Sequence, residues 1–135
     1  MSFAGTLSYA APEQLMGKAC AASDIYSLGV IAYEMATGRR PFDPGTPFDL
    51  YEMQKVQAPP DPGGLRPELP AAAGQVILRA LSFHPEDRHP TAEAFAEELE
   101  ATLLEGKAKQ VSARDRLARR LGGGCRGWLS RRWSQ

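Results

Sequence analysis

Between Ser23 and Gly38 the mixture of polar and apolar positions that marks most of this chain gives way to an almost unbroken apolar run. Ile25, Leu28, Val30, Ile31, Ala32, Tyr33, Met35 and Ala36 leave almost no polar face. A helix apolar nearly all round is buried on every side, so the pattern predicts a central helix with the domain packed about it. Ser23 is expected to cap its start through its hydroxyl, and Asp24 suits the positive end of the helix dipole. Gly38 can close the helix in the left-handed conformation, and Pro41 stops it restarting. About fourteen residues at about 1.5 Å each reach about 21 Å, too short a span for a bilayer.

Elsewhere the apolar positions recur at helical spacing. Phe48, Leu50, Tyr51, Met53 and Val56 predict a short amphipathic helix, and Val76, Ile77, Ala80 and Leu81 predict another over 71–83. Thr91 can cap a last helix running to about Leu104, with Ala92, Phe95, Leu99 and Leu103 on one face and glutamates on the rest. Met1 to Glu13, Arg40 to Pro47 and Gln57 to Pro70 read as loops, with a helical turn after Gln14 and a turn from His84 to Pro90. Nothing alternates with period two for long, so the predicted class is all-α.

Length and composition fit one ordinary domain of 135 residues, with no secretory signal and no apolar run of membrane length. The two cysteines, Cys20 and Cys125, are far apart and form no Cys-x-x-Cys pair, which points to a reducing compartment, the cytoplasm. Charge changes the picture more. The chain is neutral overall, yet residues 1–105 hold fifteen acids against seven cations, and residues 106–135 hold nine cations against the single acid Asp115. The expected organisation is an acidic helical body over 1–105 and a basic tail over 106–135.

Three local patterns occur in a fixed order. Gly5-Thr6-x-x-Tyr9-x-Ala11-Pro12-Glu13 comes first; Asp24-Ile-Tyr-Ser-Leu-Gly29-Val follows and ends in Gly38-x-x-Pro41-Phe42; His84-Pro85-x-x-Arg88-x-Pro90-Thr91-Ala92 comes last. Together they resemble the C-terminal half of the large lobe of a eukaryotic-type Ser/Thr protein kinase, with wording most similar to bacterial members. The resemblance covers Ser2 to Leu104. It implies that Thr6 lines the substrate hydroxyl, and that Leu7, Ser8, Tyr9 and Ala10 form the loop receiving the substrate residue after the phosphoacceptor. It implies that Glu13, in the Ala11-Pro12-Glu13 motif, pairs with Arg88. It implies too that Asp24 is a buried acid holding the catalytic loop, and that the Gly29 helix is the post for both lobes. The residues alone leave two readings of Glu13 and Arg88: a bidentate ion pair fixing two loops, or two solvated charges worth under about 1 kcal/mol. Likewise Asp24 alone is a plain helix-start acid, and Thr6 a loop threonine.

Phosphoryl transfer in such a kinase also needs a glycine-rich loop, a strand lysine, a catalytic Asp, and Asp and Asn ligands for magnesium. None can be placed in this sequence. Both histidines precede proline, so there is no His-Arg-Asp loop. Asp43-Pro44-Gly45 and Asp61-Pro62-Gly63 follow the central helix and read as turns. Gly122-Gly123-Gly124 lacks the strand before it and the Gly-Lys-Ser after it that a phosphate loop requires. His84 and His89 have no cysteine near them to complete a zinc site. The expectation is therefore a kinase cut within its activation segment. It has no catalytic or cofactor-binding residues of its own, ATP and magnesium being implied only for a complete family member. It should be inactive alone, with an exposed apolar patch and an unpaired Asp24 where its other half would sit. Its expected partners are a protein substrate or that missing N-terminal half; a pseudokinase-like binding scaffold is the alternative. The basic tail can begin with a helix, because Val111, Arg114, Leu117, Ala118 and Leu121 have near-helical spacing; it reads as a solvated linker or, through Arg beside Trp, as an anchor on an anionic membrane surface. Nucleic acid is the weakest reading, because no recognition motif accompanies the charge.

Overall fold

A computed structural model describes residues 7–129, with side chains through residue 121. Among the described residues every regular element is helical. In chain order they are α1 (Pro12–Leu15), α2 (Ala21–Thr37), α3 (Pro47–Val56), α4 (Pro62–Leu65), α5 (Ala71–Ala80), a 3-10 turn (Pro85–Asp87) and α6 (Ala92–Leu129). The chain forms two compact units, Met1–Leu103 and Leu104–Gln135.

In the first unit α2 is the central element. It starts three residues earlier than the sequence suggests. Cys20, extended, is the N-cap, and Ser23 is the third helical residue, its Oγ accepting from the Cys20 N–H at 3.0 Å. Ser23 thus satisfies a free donor of the first turn from inside the helix. At the other end Gly38 adopts φ 75° and donates to the Glu34 carbonyl at 2.7 Å, the left-handed closure that glycine permits without strain.

The inward face of α2 carries Ile25, Tyr26, Gly29, Val30 and Tyr33. Two core clusters form on it. Tyr26, Val30 and Tyr33 pack with Ala11, Ile77 and Leu81; Ile25 packs with Val76, Ala80 and Phe95. Gly29 sets the spacing between α2 and α5, since a Cβ there would lie 2.8 Å from the Ala80 Cβ. The absent side chain is what lets the two helices approach. Composition alone suggests burial of α2 on every side, but one side is open, the exposed apolar patch expected of a partial kinase lobe. Leu28, Ile31 and Met35 are 39 %, 44 % and 78 % exposed, because no described element packs on that side.

The shorter helices are fixed at their ends. Thr46 Oγ1 accepts from the Asp49 N–H at 3.1 Å and starts α3. Asp61 Oδ1 accepts from the Gly63 N–H at 3.1 Å and starts α4, a single turn inside a stretch that reads as loop. Tyr33 OH donates to the Pro60 carbonyl at 2.7 Å and ties that stretch to α2. Thr91 Oγ1 accepts from the Ala94 N–H at 3.0 Å and starts α6. That helix continues past Leu104 to Leu129. Residues 107–121 are mostly Ala, Lys, Arg, Leu and Gln, all strong helix formers, and contain no proline.

His89 gives the first unit a pH-sensitive point. It is buried, edge-on to Phe95 at 5.2 Å, and its Nδ1 has no hydrogen-bond partner among the described residues. Its Nε2 lies 3.1 Å from Glu98 Oε2, which is also 3.5 Å from Arg79 Nη1. Burial, then the Arg79 charge, lowers its pKa below 6.5, against the opposing pull of Glu98. The unfolded chain therefore takes up this proton first, and stability falls as pH drops through 6.5, by at most about 1.4 kcal/mol per pH unit. Urea unfolding between about pH 8 and about pH 5 should show this slope, and His89→Leu should flatten it. Parallel profiles for the two proteins would refute the assignment.

Candidate functional site

The residues singled out by sequence gather around the N-terminal half of α2 and the loop before α1. Arg88 is the organising group. Its side chain is fully buried, and all five of its N–H donors are used. Nη1 and Nη2 reach the two carboxylate oxygens of Glu13 at 2.6 and 2.9 Å. The other donors meet the carbonyls of Ser82 (2.9 Å), Ala22 (2.9 Å) and Phe83 (3.2 Å). The guanidinium also lies over the Tyr26 ring, 5.0 Å from its centroid. One side chain thus joins α1, the start of α2 and the turn after α5. Ser23 Oγ donates to Glu13 Oε1 at 2.9 Å from the first turn of α2. Burial pushes the Glu13 carboxyl up, but the bonds from Arg88, the backbone and Ser23 outweigh it and hold the group below the usual carboxylate range.

The loop ahead of α1 is held at four points. Ser8 is buried, and its Oγ accepts from Arg40 Nη1 at 2.9 Å. Tyr9 OH donates to Glu34 Oε2, and that carboxylate raises the phenol's pKa. The Tyr9 carbonyl accepts from Ser27 Oγ at 2.8 Å. The Ala10 carbonyl accepts from Gln54 Nε2 at 2.9 Å, and the same nitrogen donates to Tyr26 OH at 2.9 Å. Leu7 is half-buried, Ala11 and Pro12 are buried, and Gly29 is the close contact with Ala80. Thr6 lies outside the described residues.

Asp24 stands as the unpaired acid expected of a chain without the catalytic loop, so the holding role that the resemblance implies has no partner here. Asp24 is exposed, and its side chain makes no hydrogen bond or ion pair among the described residues. It shares an outward side of α2 with Leu28, Ile31 and Met35, and with nothing packed there it has no group to hold. Sequence reasoning missed Gln54, Arg40, Ser27 and Glu34. Gln54 had a signal: it follows buried Leu50 by four residues and so falls on the inward stripe of α3, where a polar group needs a specific partner.

A loop fixed to a helix by an Ala-Pro-Glu motif, with the Glu clamped by a distant Arg, is a kinase-like arrangement. A family model described as the protein kinase domain matches residues 1–99. The chain belongs to the protein kinase family. Its body, helical throughout the described residues, corresponds to the C-terminal part of the large lobe. It is 45 % identical over 112 residues to the serine/threonine-protein kinase Pkn1 of Myxococcus xanthus, covering 82 % of this chain and 16 % of that protein. It is 42 % identical over 102 residues to the tyrosine-protein kinase MasK of the same species, covering 75 % and 16 %. It is 37 % identical over 95 residues to the serine/threonine-protein kinase PksC of Streptomyces coelicolor, covering 70 % and 17 %. The chain thus spans about a sixth of the length of these curated relatives.

Proposed function

We propose that this chain is the substrate-docking half of a Ser/Thr kinase large lobe, and that it supports ATP-dependent phosphorylation of a protein only when the catalytic elements come from residues outside these 135. The observation that carries this reading is the buried Arg88–Glu13 clamp, which fixes the end of the Leu7–Ala11 loop to α2. Phosphoryl transfer is mainly positioning and charge stabilisation, so a rigid seat for the substrate backbone is a usable part of the machinery. Among the described residues there is no strand to carry the lysine, and no three His, Cys, Asp or Glu side chains come together as a metal-holding group. No step is therefore assigned to ATP or magnesium on this chain. The Asp24, Leu28, Ile31 and Met35 side of α2 is the surface offered to the missing elements, an apolar band with one acid.

Two assays test the reading. The 135-residue chain with ATP, magnesium and a generic basic protein should transfer no phosphate above the blank. A chimera in which residues Leu7–Glu105 replace the matching segment of Myxococcus xanthus Pkn1 should transfer phosphate. A chimera that folds and stays inactive, or activity from the chain alone, overturns the proposal.

A further inference from the structure

We propose that the helical segment Lys107–Leu121 is a seat for an anionic lipid surface. The segment carries six cations, Lys107, Lys109, Arg114, Arg116, Arg119 and Arg120, against the single acid Asp115. Its three large apolar residues are left open: Val111, Leu117 and Leu121 are 59 %, 58 % and 69 % exposed. At about 100° per residue four of the six cations separate from the apolar residues. Lys109, Arg116, Arg119 and Arg120 fall on one side of the helix. Val111, Ala118, Leu121 and Leu117 fall on the other, with Lys107 and Arg114 among them. The long stems of those two residues let their charged ends rise to the lipid headgroups while the stems lie along the apolar side. A helix of low net hydrophobicity with a cationic face and an open leucine face lies in a membrane interface and does not cross it. Among the described residues no helix is long and apolar enough to cross.

Charge selects the occupant. An anionic headgroup layer complements six cations, whereas the same segment of a second copy would meet them with like charge. Nucleic acid would also attract the cations. It would leave the leucines uncovered, because phosphate contacts come from polar groups and base stacking comes from aromatic rings, of which residues 107–121 have none. The other acids of α6 all precede Gly106, so the lipid-facing property is confined to this segment.

The test is co-sedimentation of the full chain with vesicles of phosphatidylcholine alone and of phosphatidylcholine mixed with phosphatidylglycerol. Binding is expected to the mixed vesicles only, and to weaken as salt screens the charges. Each cation removed should lower the partition coefficient about fivefold, so Lys109→Glu/Arg116→Glu/Arg120→Glu should lower it by more than about a hundredfold. Leu117→Ser/Leu121→Ser keeps every charge and should lower it by about tenfold or more. Thermal unfolding unchanged from the parent shows that each variant keeps its fold. Equal binding to neutral vesicles overturns the proposal. So does full binding by the leucine variant, which would describe a simple polycation. Binding to duplex DNA without retention by the mixed vesicles overturns it in favour of nucleic acid.

Discussion

Arg88→Ala is expected to lower the unfolding free energy by about 3–5 kcal/mol, the cost of leaving a buried partner charge alone. The size follows from what the alanine would abandon. Glu13 keeps only 12 % of its side-chain surface exposed, so water can reach it little. Its two oxygens would lose bonds of 2.6 and 2.9 Å, with Ser23 Oγ as the remaining side-chain donor. The carbonyls of Ser82, Ala22 and Phe83 would lose their donor as well, and each unmet buried acceptor adds its own desolvation cost. Arg88→Lys should recover little. An ammonium has three donors around one point, and these five contacts need a planar fork with two ends. Urea denaturation at neutral pH is the measurement, and a loss below about 1 kcal/mol would refute the clamp. The second variant, Glu13→Gln/Arg88→Met, separates the pair from its burial. If most of the loss is the orphaned charge, the double variant will be more stable than Arg88→Ala alone. The same clamp has an acid limit. Glu13's folded pKa is depressed, so its contribution is complete above 4.5 and fades as pH falls below that, under the window in which His89 acts.

The parts of this fold that were legible in the sequence are those set by a pattern longer than one turn. The helices around Val76–Leu81 and Phe95–Leu103 follow from apolar spacing, and the end of α2 follows from Gly38 before Pro41. Glu13 and Arg88 lie 75 positions apart, and no local rule joins them. Their pairing was visible only because the surrounding motifs resemble a family. What failed did so for local reasons. Ser23 has the chemistry of an N-cap, and the same hydroxyl serves equally well three residues into the helix by accepting from the Cys20 N–H. The turn Pro62–Leu65 hides in a Pro and Gly run because it depends on one side chain, Asp61. The helical spacing of Val111 to Leu121 is legible, but its continuity with the preceding helix through Gly106 is not, because charged residues of high helix propensity sustain the backbone where the apolar stripe weakens. Burial of α2 depends on neighbours, and a composition apolar on all sides cannot say which of them is present.

Tyr26→Ala should cost about as much as the loss of Arg88, about 3–5 kcal/mol, and by a different route. Tyr26 is 1 % exposed and shares with Tyr33 the place of largest fully buried side chain in the first unit's core. Burial pushes its phenol up to about 12, so it stays neutral and acts as packing with one polar end. The ring fills the space beside Val30 and Ile77 and supports the Arg88 guanidinium at 5.0 Å. Its hydroxyl accepts from Gln54 Nε2, the nitrogen that also holds the Ala10 carbonyl. Removing the ring opens a cavity and frees both neighbours. Removing only the hydroxyl, in Tyr26→Phe, keeps the volume and leaves Gln54 its bond to Ala10, so the cost should be about 1 kcal/mol. The two variants divide core packing from loop positioning. In the Pkn1 chimera, Tyr26→Phe should keep the protein folded while leaving Gln54 less firmly oriented toward Ala10, so a rise in substrate KM with a stability loss of no more than about 1 kcal/mol is the signature of a positioning role. Gln54→Leu should give the same signature more strongly, since it severs the tether itself. If Tyr26→Phe is as destabilising as Tyr26→Ala, the hydroxyl and not the ring carries the core, and the division fails.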